Sequence, residues 1–417
     1  MDGILISTKK DNREMKELIN SLGYKVKKEF LQIRNKKTPY YLGKGKIEEI
    51  KEYIEKNSIE IVFVNDSLRP SQWFNLEDYL GVNVYDRIRV ILEIFAKRAK
   101  RREAKLQVKL AKLSYEKPFV RELFHRVKKE EKPGFLSGGE YVVADYYEMI
   151  KKQVKKVRNE LRKVEIEREN KRRERKKRGF YLISIAGYTN AGKSSLLNYL
   201  TGEKVTVDEM VFSTLSTKTS RIKKEDKIPL LFTDTVGFIK DLPHWIIDAF
   251  HSTLEEISLA DVIVLIVDAS EEIKEIKEKL SVSLKEIYNL KEKPNIVIAL
   301  NKIDLLEEEE IAEKIREIRK FTNYKCVPIS VKNGVNIDIL LNEIYKFLPT
   351  LQKIEIKIPL NNSDGILKWL NRNTTVLSLD LKDFAKIRVI CSERIKDKII
   401  GKCLKAGGEV YLYGNRR

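Results

Sequence analysis

Residues 187–195 read GYTNAGKSS, and no other stretch restricts the fold of this chain so severely. The spacing is G-x-x-x-x-G-K-[ST], with the apolar run YLISIA before it and the helix-patterned SSLLNYL after it. Such a loop works only where a buried strand turns at once into a helix. There its backbone N–H groups wrap a phosphate, and the helix N-terminus adds partial positive charge. Gly187, Tyr188, Thr189, Asn190, Ala191, Gly192, Lys193, Ser194 and Ser195 are therefore the candidate phosphate-binding residues. Lys193 would place a charge on the β- and γ-phosphates, and Ser194 would ligate Mg²⁺.

Three further elements follow in the order such a site requires. The tetrapeptide DTVG, residues 234–237, ends the apolar run IPLLFT. Asp234, Thr235, Val236 and Gly237 are candidate nucleotide contacts: Asp234 behind the metal, Gly237 through its N–H to the γ-phosphate. NKID, made of Asn301, Lys302, Ile303 and Asp304, ends the run NIVIAL. A carboxylate at Asp304 can accept from guanine N1–H and N2–H₂, donors that adenine lacks, so the site selects guanine. Ser330, Val331 and Lys332 fit a backbone clasp on guanine O6. Between the first two elements, the segment from Phe212 through Ser213, Thr214, Leu215 and Ser216 has the place of a mobile switch. Thr214 is the candidate second Mg²⁺ ligand, with Thr217 and Thr219 as alternatives. Lys193, Thr214 and Gly237 are the candidate catalytic set. Phe238 stands after the glycine, where a glutamine would hold the attacking water, so hydrolysis is expected to be slow until a partner supplies or orders the missing group.

Apolar strands alternate with helices across residues 179–349, which indicates a P-loop G domain on a parallel-sheet core. Residues 1–92 alternate short β-rich runs with amphipathic helices and read as a small α/β domain, as do residues 352–417. Residues 93–178 differ. Two stretches there, 96–112 and 151–178, carry net charges of +7 and +10, which is +17 of the chain's +20. Both have apolar residues at helical spacing: Leu106, Leu110 and Leu113 in one, Val154, Val157, Leu161 and Val164 in the other. Pro133, Gly134, Gly138 and Gly139 lie between them and break the pattern. A basic helical hairpin is expected, and its charge calls for a polyanionic partner, either RNA or an acidic membrane face. Tyr141, Tyr146 and Tyr147 flank the break and are candidates to stack on RNA bases. The three cysteines are widely spaced, so a reducing cytosol is expected; separately, no run reaches the length of a membrane span.

Residues GYTNAGKS, FSTLS, DTVGFIKDLPHWIIDAFHSTLEE, YYLGKGKIEEI and DRIRVILEIFAKRAKRREAKLQVKLAKLSY together resemble the HflX family of GTPases over roughly residues 1–349. The resemblance implies an N-terminal α/β domain, a helical linker and a Ras-like G domain. It further implies GTP and GDP binding with Mg²⁺, and association with the large ribosomal subunit and its RNA in splitting, rescue or recycling of ribosomes; a monomer is expected. The competing readings are a regulatory GTPase at a membrane surface and an RNA-remodelling protein whose nucleotide sets its conformation.

Overall fold

In the N-terminal segment of the computed structural model, the β-rich runs become one four-stranded parallel sheet of β1 (Asp2–Ser7), β2 (Lys25–Leu31), β3 (Ile61–Val64) and β4 (Asn83–Asp86), in the order β2-β1-β3-β4. Helices α1 (Arg13–Leu22), α2 (Lys44–Asn57), α3 (Pro70–Leu80) and α4 (Arg87–Arg98) alternate with them. Ile4, Ile6, Val62, Val64 and Val84 of the strands form one core with Ile47, Ile50 and Ile54 of α2 and Leu76 and Leu80 of α3. β2 carries Lys25, Lys27, Lys28 and Glu29, so it lacks the apolar run that marks the other strands; as an edge strand it needs none, and charge there discourages pairing with another chain. Asp86 caps α4, accepting from Arg89 N at 2.8 Å, and also receives the Tyr115 hydroxyl at 3.0 Å. The structure describes residues 2–33, 38–130, 138–202, 212, 218–222, 228–240, 242–349 and 351–413.

The basic stretches fold as two long helices, α5 (Arg102–Glu130) and α6 (Gly138–Lys177). Their apolar residues meet in a seam: Leu113, Val120, Ile150 and Val157 are buried, with Leu106, Leu110, Val154 and Leu161 packed against them. Lys152, Lys155, Lys156 and Arg158 are left on the outside because the seam takes the apolar stripe of each helix. By contacts the chain forms two compact units, Met1–Val164 with Asp208–Ser216 and Asp241–His251, and Glu165–Val207 with Thr217–Lys240 and Ser252–Arg417. In the first, Phe95 of α4 meets Phe212 and Phe250 edge to face, at centroid distances of 4.6 and 4.7 Å.

The G-domain elements are, in chain order, β5 (Tyr181–Gly187), α7 (Lys193–Thr201), β6 (Lys218–Ile222), β7 (Leu230–Asp234), α8 (His244–Ala249), α9 (His251–Leu259), β8 (Val262–Asp268), α10 (Ile273–Leu290), β9 (Ile296–Asn301), α11 (Glu308–Phe321), β10 (Lys325–Pro328) and α12 (Ile337–Lys346). The sheet order is β10-β9-β8-β5-β7-β6, parallel except at β6. All seven residues of β8 and all six of β9 are buried, as expected of central strands covered on both faces. The carboxyl ends of β5, β7, β8 and β9 converge on the loops that carry the sequence motifs, which is where an open α/β sheet binds ligands.

The C-terminal segment, β11 (Gln352–Pro359), α13 (Ser363–Asn373), β12 (Thr375–Leu381), β13 (Phe384–Cys391), α14 (Lys396–Lys405) and β14 (Glu409–Tyr413), forms a separate antiparallel sheet in the order β12-β13-β11-β14. It is fastened to the G-domain sheet. Ser392 Oγ donates to Gly179 O at 2.7 Å, Arg394 reaches Asp261 at 2.5 Å, and Ile390 joins the G-domain core.

The end of α6 is fixed by buried charge. Arg168 and Arg172 both reach Oε1 of Glu256 on α9, at 3.1 and 3.0 Å, and Glu256 is only 1% exposed. Arg172 also pairs with Glu255 at 2.8 Å. Removing one member of such a cluster leaves buried charge without its partner. Glu256→Ala should therefore lower stability by about 3 kcal/mol, seen as an earlier unfolding midpoint in urea; an unchanged midpoint would show that water already screens the two arginines.

Candidate nucleotide-binding site

The motif between β5 and α7 turns through backbone that side chains rarely adopt. Gly192 has φ +103° and Asn190 +64°. Gly192 caps the helix that starts at Lys193. Its missing side chain is required by a neighbour as well: a Cβ there would lie 2.3 Å from Nδ2 of Asn301. Asn301 uses that closeness. Its Nδ2 donates to Ala191 O at 2.9 Å and its Oδ1 accepts from Val331 N at 3.1 Å, so one buried amide ties together the phosphate loop, the NKID loop and the loop after β10.

DTVG comes to the same place from β7. Ser194 Oγ donates to Asp234 Oδ2 at 2.7 Å, which brings the two expected metal-side residues together. Thr235 is fully buried and its hydroxyl donates to Ile185 O at 2.8 Å, locking the strand end to β5; Val236 is buried beside it. Gly237 is as cramped as Gly192. A Cβ on it would meet Lys193 Nζ at 2.8 Å and Thr189 Cγ2 at 2.9 Å. Phe238 then bonds back to the phosphate loop, donating its N–H to Gly187 O at 3.0 Å and accepting from Thr189 N at 3.1 Å. Its side chain is 5% exposed. Phe238 is thus a packing and backbone-pairing residue here, and no group of its side chain can orient a water.

Lys193 is buried. Its ammonium donates to Tyr188 O at 2.6 Å. Burial brings its pKa down from the ordinary 10.5 to about 8, while the Asp234 carboxylate pulls the other way. In the base pocket, Ser330 Oγ donates to Asp304 Oδ1 at 2.6 Å, and Asn333 N donates to Ser330 Oγ at 3.2 Å, so the clasp loop aims the carboxylate. Ile303 N bonds to Ile329 O at 3.3 Å, Val331 is buried and Lys332 is exposed. Lys302 sits at φ +68° and its Nζ pairs with Asp268 Oδ2 at 2.5 Å. Asp268 was not among the sequence candidates; the only signal for it was its place at the end of the apolar run VIVLIVD. Ser270 holds its other oxygen through N–H and Oγ, at 3.0 and 2.6 Å.

The structure therefore brings Gly187 to Ser195, Asp234 to Gly237, Asn301 to Asp304 and Ser330 to Lys332 to one end of one sheet. Phe212 is instead seated on Phe95 and Phe250 in the first unit. Thr219 lies within β6, where its hydroxyl bonds that of Thr233 at 3.0 Å. Ser213, Thr214, Leu215, Ser216 and Thr217 lie outside the described residues. Whether the donor set suits a nucleotide with Mg²⁺ can be judged from the two crowded glycines and the Ser194–Asp234 pair. Bare backbone, a buried ammonium and a hydroxyl beside a carboxylate are what a polyphosphate and a hard cation need. The residues fit.

Comparison with known proteins decides the family. Three family profiles match in sequence: "GTP-binding GTPase N-terminal" at residues 9–96, "GTP-binding GTPase Middle Region" at 98–175 and "50S ribosome-binding GTPase" at 182–302. The GTPase HflX of Thermococcus kodakarensis is 38% identical over 410 residues, covering 95% of this chain and 91% of its own length. The chain belongs to the HflX family of GTPases. HflX of Methanocaldococcus jannaschii is also 38% identical, over 95% of this chain and 96% of its own. Among solved structures, the GDP complex of SsGBP superposes with a TM-score of 0.50 at 26% identity, covering 83% of this chain and 97% of that one. Like its HflX relatives, this chain is a GTPase.

Two measurements probe the site. Because the folded pKa of Lys193 is depressed, the unfolded chain holds that proton between about pH 8 and 10.5 where the folded chain has lost it, so stability rises with pH across that window. A bound triphosphate supplies counter-charge and restores the proton. Calorimetry at pH 9 in buffers of different ionisation enthalpy should show proton uptake on GTP binding, absent in Lys193→Met; no uptake by the intact chain would mean the lysine is already charged. Separately, Asp304→Asn should weaken GTP binding by tenfold or more, an estimate of roughly 1.4 kcal/mol or above for an unpaired donor, and favour xanthosine nucleotides in competition assays. Retained guanine preference would place the base elsewhere.

Proposed function

We propose that this GTPase docks on the large ribosomal subunit through the basic hairpin and hydrolyses GTP efficiently only when docked, in splitting, rescue or recycling of ribosomes. The observation that carries the reading is the hairpin itself. Its apolar stripe is spent on the seam between α5 and α6, and Lys152, Lys155, Lys156 and Arg158 stand exposed on the other side. Some cations of the pair are spent on ion pairs, as Arg168 and Arg172 are on Glu256, but a cluster of exposed lysines and arginines outside the seam is the charge pattern that a polyanion binds. The profile over residues 182–302 is described as that of a 50S ribosome-binding GTPase, which supports ribosomal RNA as the polyanion.

In the site, backbone N–H groups of residues 190–195 and the Lys193 ammonium would hold the β- and γ-phosphates, while Gly237 N–H would meet the γ-phosphate. Asp304, oriented by Ser330, would read the base. Ser194 and Thr214 would ligate Mg²⁺, with Asp234 behind them; the ion, when bound, neutralises charge that develops on the phosphate oxygens. Buried and apolar, Phe238 cannot hold the attacking water. Positioning dominates phosphoryl transfer, so the chain alone should be slow and a docked partner should complete the site.

Single-turnover GTP hydrolysis should accelerate at least tenfold on adding large subunits, and no acceleration would overturn the proposal. Changing Lys152, Lys155, Lys156 and Arg158 to Glu should weaken subunit binding and flatten the slope of log K against log salt by roughly 3.6, at about 0.9 per phosphate contact. Equal binding and slope would show that the hairpin is not the docking element.

A further inference from the structure

The C-terminal segment lies beyond the three matched family profiles, which end at residue 302. Its elements run βαββαβ; helices α13 and α14 pack on one face of its four-stranded antiparallel sheet, and the other face meets the G-domain core at Ile390 but is exposed at Phe384, Lys386 and Arg388. Ile354, Ile356 and Ile358 of β11 and Ala385, Ile387 and Val389 of β13 turn to the core shared with Leu370 of α13 and Ile399 and Cys403 of α14. Strand residues alternate, so the intervening positions form the opposite face. Register puts Lys357 opposite both Lys386 and Glu409, Glu355 opposite both Arg388 and Tyr411, and Phe384 opposite Pro359.

That face is both aromatic and cationic. Phe384 is 44% exposed and Tyr411 is 50% exposed, large apolar areas for single residues on a sheet. The Lys357 ammonium lies 4.5 Å from the Phe384 ring centre. Its carboxylates are largely spoken for: Glu355 is held by Lys386 at 3.1 Å and Arg388 at 2.7 Å, Glu409 accepts the Tyr411 hydroxyl at 2.7 Å, and Asp380 pairs with Lys382 at 3.8 Å. Among the described residues, Lys353 and Lys357 have no acidic partner. Residues 352–417 hold fourteen Lys and Arg against seven Asp and Glu, a net of +7 that is independent of the hairpin.

We propose that the exposed part of this face is a docking surface for single-stranded RNA, with bases stacked on Phe384 and Tyr411 and phosphates held by Lys353 and Lys357. A duplex keeps its bases stacked within itself and would leave both rings idle; an unpaired strand offers a flat π-face to each and is sequence-tolerant for that reason. From strand geometry the two rings stand roughly 16 Å apart, four residues along and two strands across, a span that an extended strand of a few nucleotides bridges. Four-stranded sheets of this connection are a recurrent way to present aromatics to RNA, which is analogy; the exposed rings and unpaired lysines are the warrant.

The test uses the full chain, a fluorescent ten-nucleotide oligouridine and a ten-base-pair RNA duplex. Phe384→Ala with Tyr411→Ala should weaken oligouridine binding about tenfold or more, from the loss of two stacks, and leave duplex and GDP binding unchanged. Lys353→Glu with Lys357→Glu should lower the salt slope for the oligouridine by roughly 1.4, at about 0.7 per contact on a single strand. Photocrosslinks from 4-thiouridine should map to β11, β13 and β14. Unchanged oligouridine affinity in the aromatic variant, equal losses for strand and duplex, or crosslinks confined to α5 and α6 would each overturn the proposal. GDP binding reports on the G domain alone, so the variants are also compared by backbone amide hydrogen exchange in β11, β13 and β14; protection there like that of the unaltered chain shows that the C-terminal sheet is folded, and a lost site and a lost fold are then distinguishable.

Discussion

The site rests on backbone that must stay bare. A phosphate can be wrapped by peptide N–H groups only where side chains are missing, and each missing side chain leaves room for a neighbour to close in. Gly192 admits the Asn301 amide, and Gly237 admits the tip of Lys193. Gly187, at φ +145°, lets β5 pass so near β8 that a Cβ would stand 2.4 Å from Ile266 O. The three glycines thereby bring the ends of β5, β7, β8 and β9 within hydrogen-bond reach of one another. Adding a methyl group at any of them would push apart a pair of motifs rather than only distort a loop.

Charge is arranged on the same principle of few contacts and large consequence. Inside the site, the Lys193 ammonium is desolvated, with Asp234 as nearby compensation, and this is why its proton is loosely held. At the far end of α6, two arginines share one buried carboxylate, Glu256. On the exposed side of the hairpin, Lys152, Lys155, Lys156 and Arg158 are solvated and screened, and charges so placed add little to stability. The same residue types thus act as a phosphate hook, a structural rivet and an electrostatic surface, according to how much water each retains.

Much of the nucleotide site was legible in the linear chain because its motifs are contiguous and each needs its own local context. GYTNAGKSS, DTVG and NKID each end an apolar strand, so pattern and position agree. The seam residues of the hairpin were legible for a similar reason: helical spacing put Leu106, Leu110, Val154 and Leu161 on single faces. Strand β2 was not legible, because an edge strand carrying Lys25, Lys27 and Lys28 has no apolar run to mark it. Asp268 was hidden as well, since its role is set by the approach of Lys302 from the next strand.

By itself, then, the sequence determined the chemistry on offer: a phosphate loop, a guanine-selective carboxylate, no water-holding side chain at Phe238, and a heavily basic arm. Only the tertiary structure decided which of these groups meet. It seated Phe212 against Phe95 and Phe250, locked α6 onto Glu256, and left Phe384 and Tyr411 exposed on the C-terminal sheet. The reason is physical. Local motifs are written in neighbouring residues, whereas burial, close approach and exposure depend on which distant segment the chain packs alongside.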